Sequence, residues 1–329
     1  VPSDTLLLSQ SDVARCISIP EVVQTVEAVF AAHGRGAVSM PPKLTLDLSA
    51  SGEPNWIIAM PAYIPDLQAG GIKWAGGFRN NASRGLRFIM ATIVLNDPLT
   101  GVPDGMMDGV WITNARTGAV VAVSTKYLSR PGPKEIAFVG AGTQARSSLR
   151  ALHACVDVAS VRVTAPNPKS LEAFRTEMGA ATGLPIETTE SVERAVRGAD
   201  VIVTVTTADA PLVRLEWVKP GAYIASMGSY QELEESVVWE ASKIVVDSWE
   251  QTAHRGELRK LAEAGRLQRH HIHAEIGEVV VGRKTGWEPS DRHVLGVLIG
   301  LGSLDIAVAR LVLQRARERG LGRAFDFLA

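Results

Sequence analysis

Cysteine is scarce in this chain of 329 residues, with Cys16 and Cys155 its two examples. Far apart in sequence, they match neither a disulfide framework nor a metal-ligand spacing, so a reducing setting is expected. Net charge is scarce as well: the formal balance is −1, which gives no general reason to bind nucleic acid or an acidic membrane surface and leaves only a local basic pocket open. No uninterrupted apolar run reaches the ~18 residues needed to span a bilayer, and "VPSDTLLLSQSD" lacks a basic stretch followed by an apolar core. A cytoplasmic protein with no membrane anchor or export signal is the expectation. Internal repeats and low-complexity tracts are also missing. What is present, 46% hydrophobic against 21% charged residues, suffices for a large core and, at this length, about two domains.

Up to about residue 130 helix and strand signals are mixed. "SDVARCISIPEVVQTVEAVFAAHGRG" offers Ser11 as a cap, then Val22, Val23, Val26, Val29 and Phe30 at helical spacing, with an end at Gly34 or Gly36. "KLTLDL", "NWIIAMPAYI", "AGGIKWAGGF" and "FIMATIVLND" predict strands parted by Gly, Pro, Asn and Asp turns. "TGAVVAVSTKYLSRPGP" predicts a helix ended by proline and glycine, the candidate junction. From Glu135 the chain alternates short apolar strands ("IAFVG", "VRVTA", "VIVTVTT", "YIASMG", "KIVVD") with helical stretches, the pattern of right-handed crossovers and a parallel sheet covered on both faces. The tail from about Asp291, including "HVLGVLIGLGSLDIAVARLVLQRARERG", predicts long helices that pack on the first domain or on another subunit. The fold class is therefore α/β, in three stretches: 1–130, 131–290 and 291–329.

The turn Gly140-Ala141-Gly142-Thr143-Gln144-Ala145 follows a strand and opens a helix, the context in which G-x-G-x-x-G/A marks a dinucleotide site. Its first glycine permits the tight turn, the second lets backbone N–H groups approach a pyrophosphate, and the small third residue keeps helix and strand close. An NAD-selective site usually has Asp or Glu about 20 residues on, at the end of the next strand. Here that place holds Ala165 or Pro166. A missing acid removes repulsion of a 2′-phosphate, which Asn167, Lys169 or Arg175 could contact, so the expected cofactor is NADP or NAD with a slight lean to NADP. Thr206 and Thr207 close one strand, and Met227, Gly228 and Ser229 another; carboxyl ends of such strands line the cofactor crevice.

A mid-chain dinucleotide domain needs a partner that presents a substrate. Lys73 stands between Ile72 and Trp74, where desolvation could lower its pKa for proton transfer, although lysines on strands are more often solvated. Arg116, before an apolar helical run, suits a substrate carboxylate or equally the carbonyls of a helix end.

Seven motifs decide further: "MPAY" at Met60, "GIKW" at Gly71, "DPLTGVPDGMMDG" at Asp97, "TNARTGA" at Thr113, "VGAGTQAR" at Val139, "EIGEVVVGRKTG" at Glu275 and "GLGSLD" at Gly300. In this order, along nearly the whole chain, they resemble the ornithine cyclodeaminase/mu-crystallin family. The resemblance implies a Rossmann domain inserted in an α+β substrate and dimerisation domain, hence a homodimer, and no metal. It gives Lys73 and Arg116 the substrate carboxylate and the reacting centre. Lys43 stands where the family often has an arginine for the same carboxylate, and Met60 and Ser229 complete the expected substrate set. Cyclodeaminases of the family carry an aspartate at the place of Ser229, whereas its ketimine reductases of the mu-crystallin kind have a serine there, as this chain does. The expected function is an NAD(P)H-dependent reductase of an imino acid, or of a keto acid plus amine, to an L-amino acid, reversible as a dehydrogenase. An ornithine or lysine cyclodeaminase using NAD+ catalytically, and a non-enzymatic NADPH or small-ligand binding protein, are the alternatives. Arg79, Arg84 or Arg87 could meet a second substrate carboxylate, though solvated loop arginines are favoured. Trp56, Trp74 and Phe78 could wall the cleft, and His270, His271, His273 and Glu275 read better as a polar loop than as a metal site.

Overall fold

A computed structural model describes residues 4–208 and 210–327. The chain forms two compact units, Val1–Arg116 with Leu301–Ala329, and Thr117–Gly300.

In the first unit β1 (Asp4–Leu8), β2 (Leu44–Asp47), β3 (Trp56–Ile64), β4 (Ala69–Gly77), β5 (Ile89–Asn96) and β6 (Pro103–Asp108) join a terminal strand, Arg323–Asp326. Their order is terminal strand, β1, β6, β5, β4, β3, β2. Pairing is antiparallel except between β1 and β6. Directly paired residues share a face, so Met60, Lys73, Ile93 and Met107 form one row across β3 to β6. All four are buried, because the helix Gly302–Glu318 packs on β3, β4 and β5. The other face keeps Leu44, Leu46, Trp74, Met90, Met106 and Phe325 exposed.

The region read as one helix capped by Ser11 is two: α1 (Gln10–Cys16) and α2 (Ile19–Gly34). Ser9 caps α1, its Oγ accepting from Asp12 N while Asp12 Oδ2 accepts from Ser9 N at 3.0 Å. Ile17 and Ser18 are extended between the helices. Pro20 sits in the first turn of α2, where its missing N–H costs nothing. Strand β6, "PDGMMD", gave no strand signal because Pro, Asp and Gly are poor strand formers; pairing on both sides overrides that weakness.

Helix α3 (Val110–Leu128) begins in the first unit and ends in the second. The second unit then holds β7 (Lys134–Val139), α4 (Thr143–Cys155), β8 (Val158–Thr164), α5 (Pro168–Thr182), β9 (Ile186–Thr189), β10 (Val201–Thr204), β11 (Ala222–Ser226), β12 (Lys243–Val246), β13 (Ala274–Glu275) and β14 (His293–Val297). The sheet is parallel throughout, in the order β13, β12, β14, β11, β10, β7, β8, β9. Strands β10, β11 and β12 are buried at every position, as strands covered on both faces must be. This is an α/β fold with a Rossmann-like sheet.

One expectation fails at residues 293–297. They were expected to be helical, yet "HVLGV" is the fully buried strand β14 between β11 and β12. A short apolar run shows no period by which helix and strand differ. The helix begins only at Gly302, so the units divide at Arg116 and Gly300 against the expected 130 and 290. Pro131 and Gly132 merely follow α3 inside the second unit.

Candidate active site

In the first unit, β4 carries Lys73 onto the buried face and α3 carries Arg116. The two meet on a residue that the sequence reading passed over, Asp305. Lys73 Nζ donates to Asp305 Oδ2 at 2.8 Å and Arg116 Nε to Asp305 Oδ1 at 3.1 Å. Lys73 is 2% exposed, Arg116 7% and Asp305 0%. Three charges out of water are tolerable only when paired and hydrogen-bonded. Burial works against the Asp305 carboxylate, but the adjoining Arg116 and Lys73 outweigh it and hold its pKa below the ordinary value. Thr113 adds a hydroxyl that accepts from Lys73 Nζ at 3.4 Å and donates to Gly109 O at 2.6 Å.

The close approach of the helix bearing Asp305 depends on Gly302, where a Cβ would lie 2.9 Å from Met60 O. Met60 is thus buried opposite Lys73 on β3. Lys43 is half-buried immediately before β2, two strands from β4. Trp74 does not wall this group. Adjacent strand positions point to opposite faces, and Trp74 is 49% exposed on the other side. Trp56 shares the Lys73 face and pairs with Gly77. Arg79, Arg84 and Arg87 are exposed; Arg84 pairs with Glu53 at 3.1 Å and Arg87 donates to Gln10 Oε1 at 3.1 Å.

In the second unit the glycine turn sits between β7 and α4. Gly140 has φ +112°, and a Cβ there would lie 2.9 Å from Val205 O, so only glycine fits without strain. A Cβ at Gly142 would meet nothing within 4 Å; the N-terminus of α4 opens onto free space, as a pyrophosphate requires. A cleft of about 570 Å³ is lined by Gly140, Gly142, Asn167, Glu190, Thr206 and Thr207 among others. Thr143 and Gln144 open α4, and Ala145, in its first turn, is buried. Asn167 caps α5, its Oδ1 accepting from Lys169 N at 2.9 Å, and Lys169 is exposed. Arg175 is held by Glu172 through bonds of 2.7 and 3.0 Å. These residues fit a dinucleotide.

Met227, Gly228 and Ser229 follow β11 directly. Ser229 Oγ accepts from Arg255, from Nε at 3.3 Å and Nη2 at 3.2 Å, so a cation attends this hydroxyl. Arg255, like Asp305, went unnoticed in sequence. The histidine-rich segment is spent on backbone: His271 Nδ1 accepts from Gln268 N, and His273 Nε2 lies 2.9 Å from Thr285 O. Glu275 accepts from Trp249 N.

Against known proteins, a model of the ornithine cyclodeaminase/mu-crystallin family matches residues 3–320. The fold is similar to that of Delta(1)-pyrroline-2-carboxylate reductase of Thermococcus litoralis, solved with NADH and L-proline, with a TM-score of 0.92, 35% identity and coverage of 97% of this chain and 99% of that one. It is similar to an archaeal alanine dehydrogenase dimer with bound NAD, with a TM-score of 0.92, 34% identity and coverage of 99% and 100%. A third likeness is to the iminosuccinate reductase of Paracoccus denitrificans with NAD+, with a TM-score of 0.89, 29% identity and coverage of 98% and 100%.

Proposed function

The chain belongs to the ornithine cyclodeaminase/mu-crystallin family, and on that premise we propose that it is a nicotinamide-dependent reductase of an imino acid, or of a keto acid plus amine, to an L-amino acid, reversible as an amino-acid dehydrogenase. The observation that carries this reading is the buried group of Lys73, Arg116 and Asp305. Reduction of a C=N bond needs a carboxylate anchor, a proton at nitrogen and a hydride at carbon. Arg116 spends Nε on Asp305, which leaves the Nη fork for a bidentate carboxylate. Asp305 holds the Lys73 side chain in a dry place, where Nζ can hydrogen-bond the imine nitrogen and supply its proton. Lys43 and Met60 complete the substrate side.

A bound nicotinamide supplies the hydride. Gly140, Gly142, Thr143, Gln144 and Ala145 would hold its pyrophosphate, Asn167 and Lys169 the adenosine side, and Thr206, Thr207, Met227, Gly228 and Ser229 the strand-end crevice. Of the two dinucleotides, NAD(H) is the one these residues suit. Arg175 is already paired, Asn167 is already a cap, and Glu190 brings a carboxylate to the cleft; all three count against a 2′-phosphate. The exposed apolar sheet face with Trp74 and Leu46 fits a homodimer, and no helix among the described residues is long and apolar enough to cross a membrane. A cyclodeaminase is disfavoured by Ser229, which cannot take a proton as an aspartate does.

Purified protein is mixed with NADH or NADPH and a panel of cyclic imino acids, pyruvate plus ammonia, oxaloacetate plus ammonia and glyoxylate plus methylamine, and nicotinamide absorbance is followed. One imine consuming cofactor, and none doing so with Lys73→Ala, is the expected outcome. Ammonia release from ornithine with NAD+ and no net NADH, with every imine inert, would overturn it in favour of the cyclodeaminase.

A further inference from the structure

Three loops at the carboxyl edge of the parallel sheet converge on one residue that the proposed chemistry does not use. Glu232 is 0% exposed. Its Oε1 accepts from Thr206 N at 2.7 Å, and its carbonyl accepts from Leu212 N at 2.7 Å and Val213 N at 3.1 Å. Glu232 N in turn donates to Glu257 Oε2 at 2.7 Å, and Leu233 N to Glu257 Oε1 at 3.3 Å. Gln231 Nε2 closes the brace on Gly256 O at 2.9 Å. The other oxygen, Oε2, is buried with no hydrogen-bond partner among the described residues, and a Cβ on Gly228 would lie 2.4 Å from it. Gly228 therefore rests on this carboxyl. Thr206 and Leu212 line the nucleotide cleft, and Gly228 belongs to the next strand end.

We propose that Glu232 is a positioning residue for the nicotinamide dinucleotide: its carboxyl ties the loop carrying Thr206 to the turn carrying Gly228 and Ser229 and fixes the shape of the crevice the cofactor enters. The inference rests on the cofactor half of the proposed function. Length and shape matter here more than charge. Burial raises the pKa of Glu232, and it pushes the neighbouring Glu257, 3% exposed, up to about 8. Both carboxyls accept from backbone N–H groups, Glu232 from that of Thr206 and Glu257 from those of Glu232 and Leu233. Two buried acids side by side hold at least one proton near neutrality, and an ionised Glu232 beneath the crevice would oppose the pyrophosphate.

Binding of NADH to the full chain without substrate, followed by fluorescence, separates these roles. Glu232→Gln keeps reach and loses only the capacity for charge, so its Kd stays within about threefold of the wild type. Glu232→Asp keeps the acid but falls one methylene short of Thr206 N, and its Kd rises at least about fivefold; Glu232→Ala rises at least about tenfold. If the alanine variant gives no cooperative melt, the Asp and Gln pair decides. Wild-type affinity in Glu232→Asp, or equal weakness in Gln and Asp, overturns the proposal, as does failure of the wild type to bind NADH or NADPH at all. Should no imine be reduced while NADH binds and Glu232→Asp weakens it, the substrate reading fails and this inference stands.

Discussion

Replacing Asp305 by asparagine isolates the electrostatics of the first unit. Asp305 bonds two buried cations, Lys73 at 2.8 Å and Arg116 at 3.1 Å. At an effective dielectric constant of about 20 the two attractions are worth about 6 and about 5 kcal/mol, and desolvation of three ions offsets most of this sum. Removing one partner of such a group leaves buried charge uncompensated, which costs about 3–5 kcal/mol. Asp305→Asn strands two cations, so it belongs at the upper end. Lys73→Met leaves Asp305 with Arg116 and belongs at or below the lower end. The double variant recovers part of the loss, because the methionine removes one stranded cation, giving a coupling of at least about 1 kcal/mol. Urea unfolding of the four proteins measures this cycle; at about 2–4 °C per kcal/mol, Asp305→Asn melts on the order of 10 °C lower. Imine reduction by Asp305→Asn should fall at least about 100-fold, because Lys73 loses its held geometry. Loss of less than about 1 kcal/mol in Asp305→Asn, or strict additivity in the cycle, would refute the reasoning.

Two further outcomes test other parts of the fold. Gly140→Ala places a methyl 2.9 Å from Val205 O at φ +112°, a strain of about 1–3 kcal/mol; titration calorimetry should show NADH bound at least about tenfold more weakly, and unchanged affinity would mean the turn is not the cradle. His33, bonded through Nε2 to Ser303 Oγ at 2.8 Å, has its pKa lowered by burial to about 4. A base whose folded pKa lies below its unfolded value of about 6.5 contributes stability that is complete above 6.5 and lost as pH falls through 4. The loss is at most about 3 kcal/mol, so melting temperature against pH should flatten between those limits in His33→Gln, and an unaltered acid limb would exclude His33 as its source.

What could be read in advance was local. The Gly140 turn is visible because a strand, two glycines and a helix lie within a dozen consecutive residues, and the rows of β3 to β5 because alternation is a two-residue signal. Asp305 escaped because it lies 232 residues from Lys73, and no periodicity links them. A signal did exist. Asp305 stands between Leu304 and Ile306 in a helix whose residues from Gly302 to Ala309 are all buried, and an acid in such a run demands a cation. Lys73 lies between apolar neighbours and Arg116 borders an apolar helical run, so the cost of unpaired charge makes these two the candidates to meet it. The same reasoning does not reach Glu232. It lies in "QELEES", among other acids in a polar stretch where burial has no sequence signature, and only the convergence of three strand-end loops takes it out of water. Charges inside apolar elements can therefore be paired from sequence by exclusion. Charges that loops bury at a sheet edge depend on topology, and Glu232 lies at such an edge.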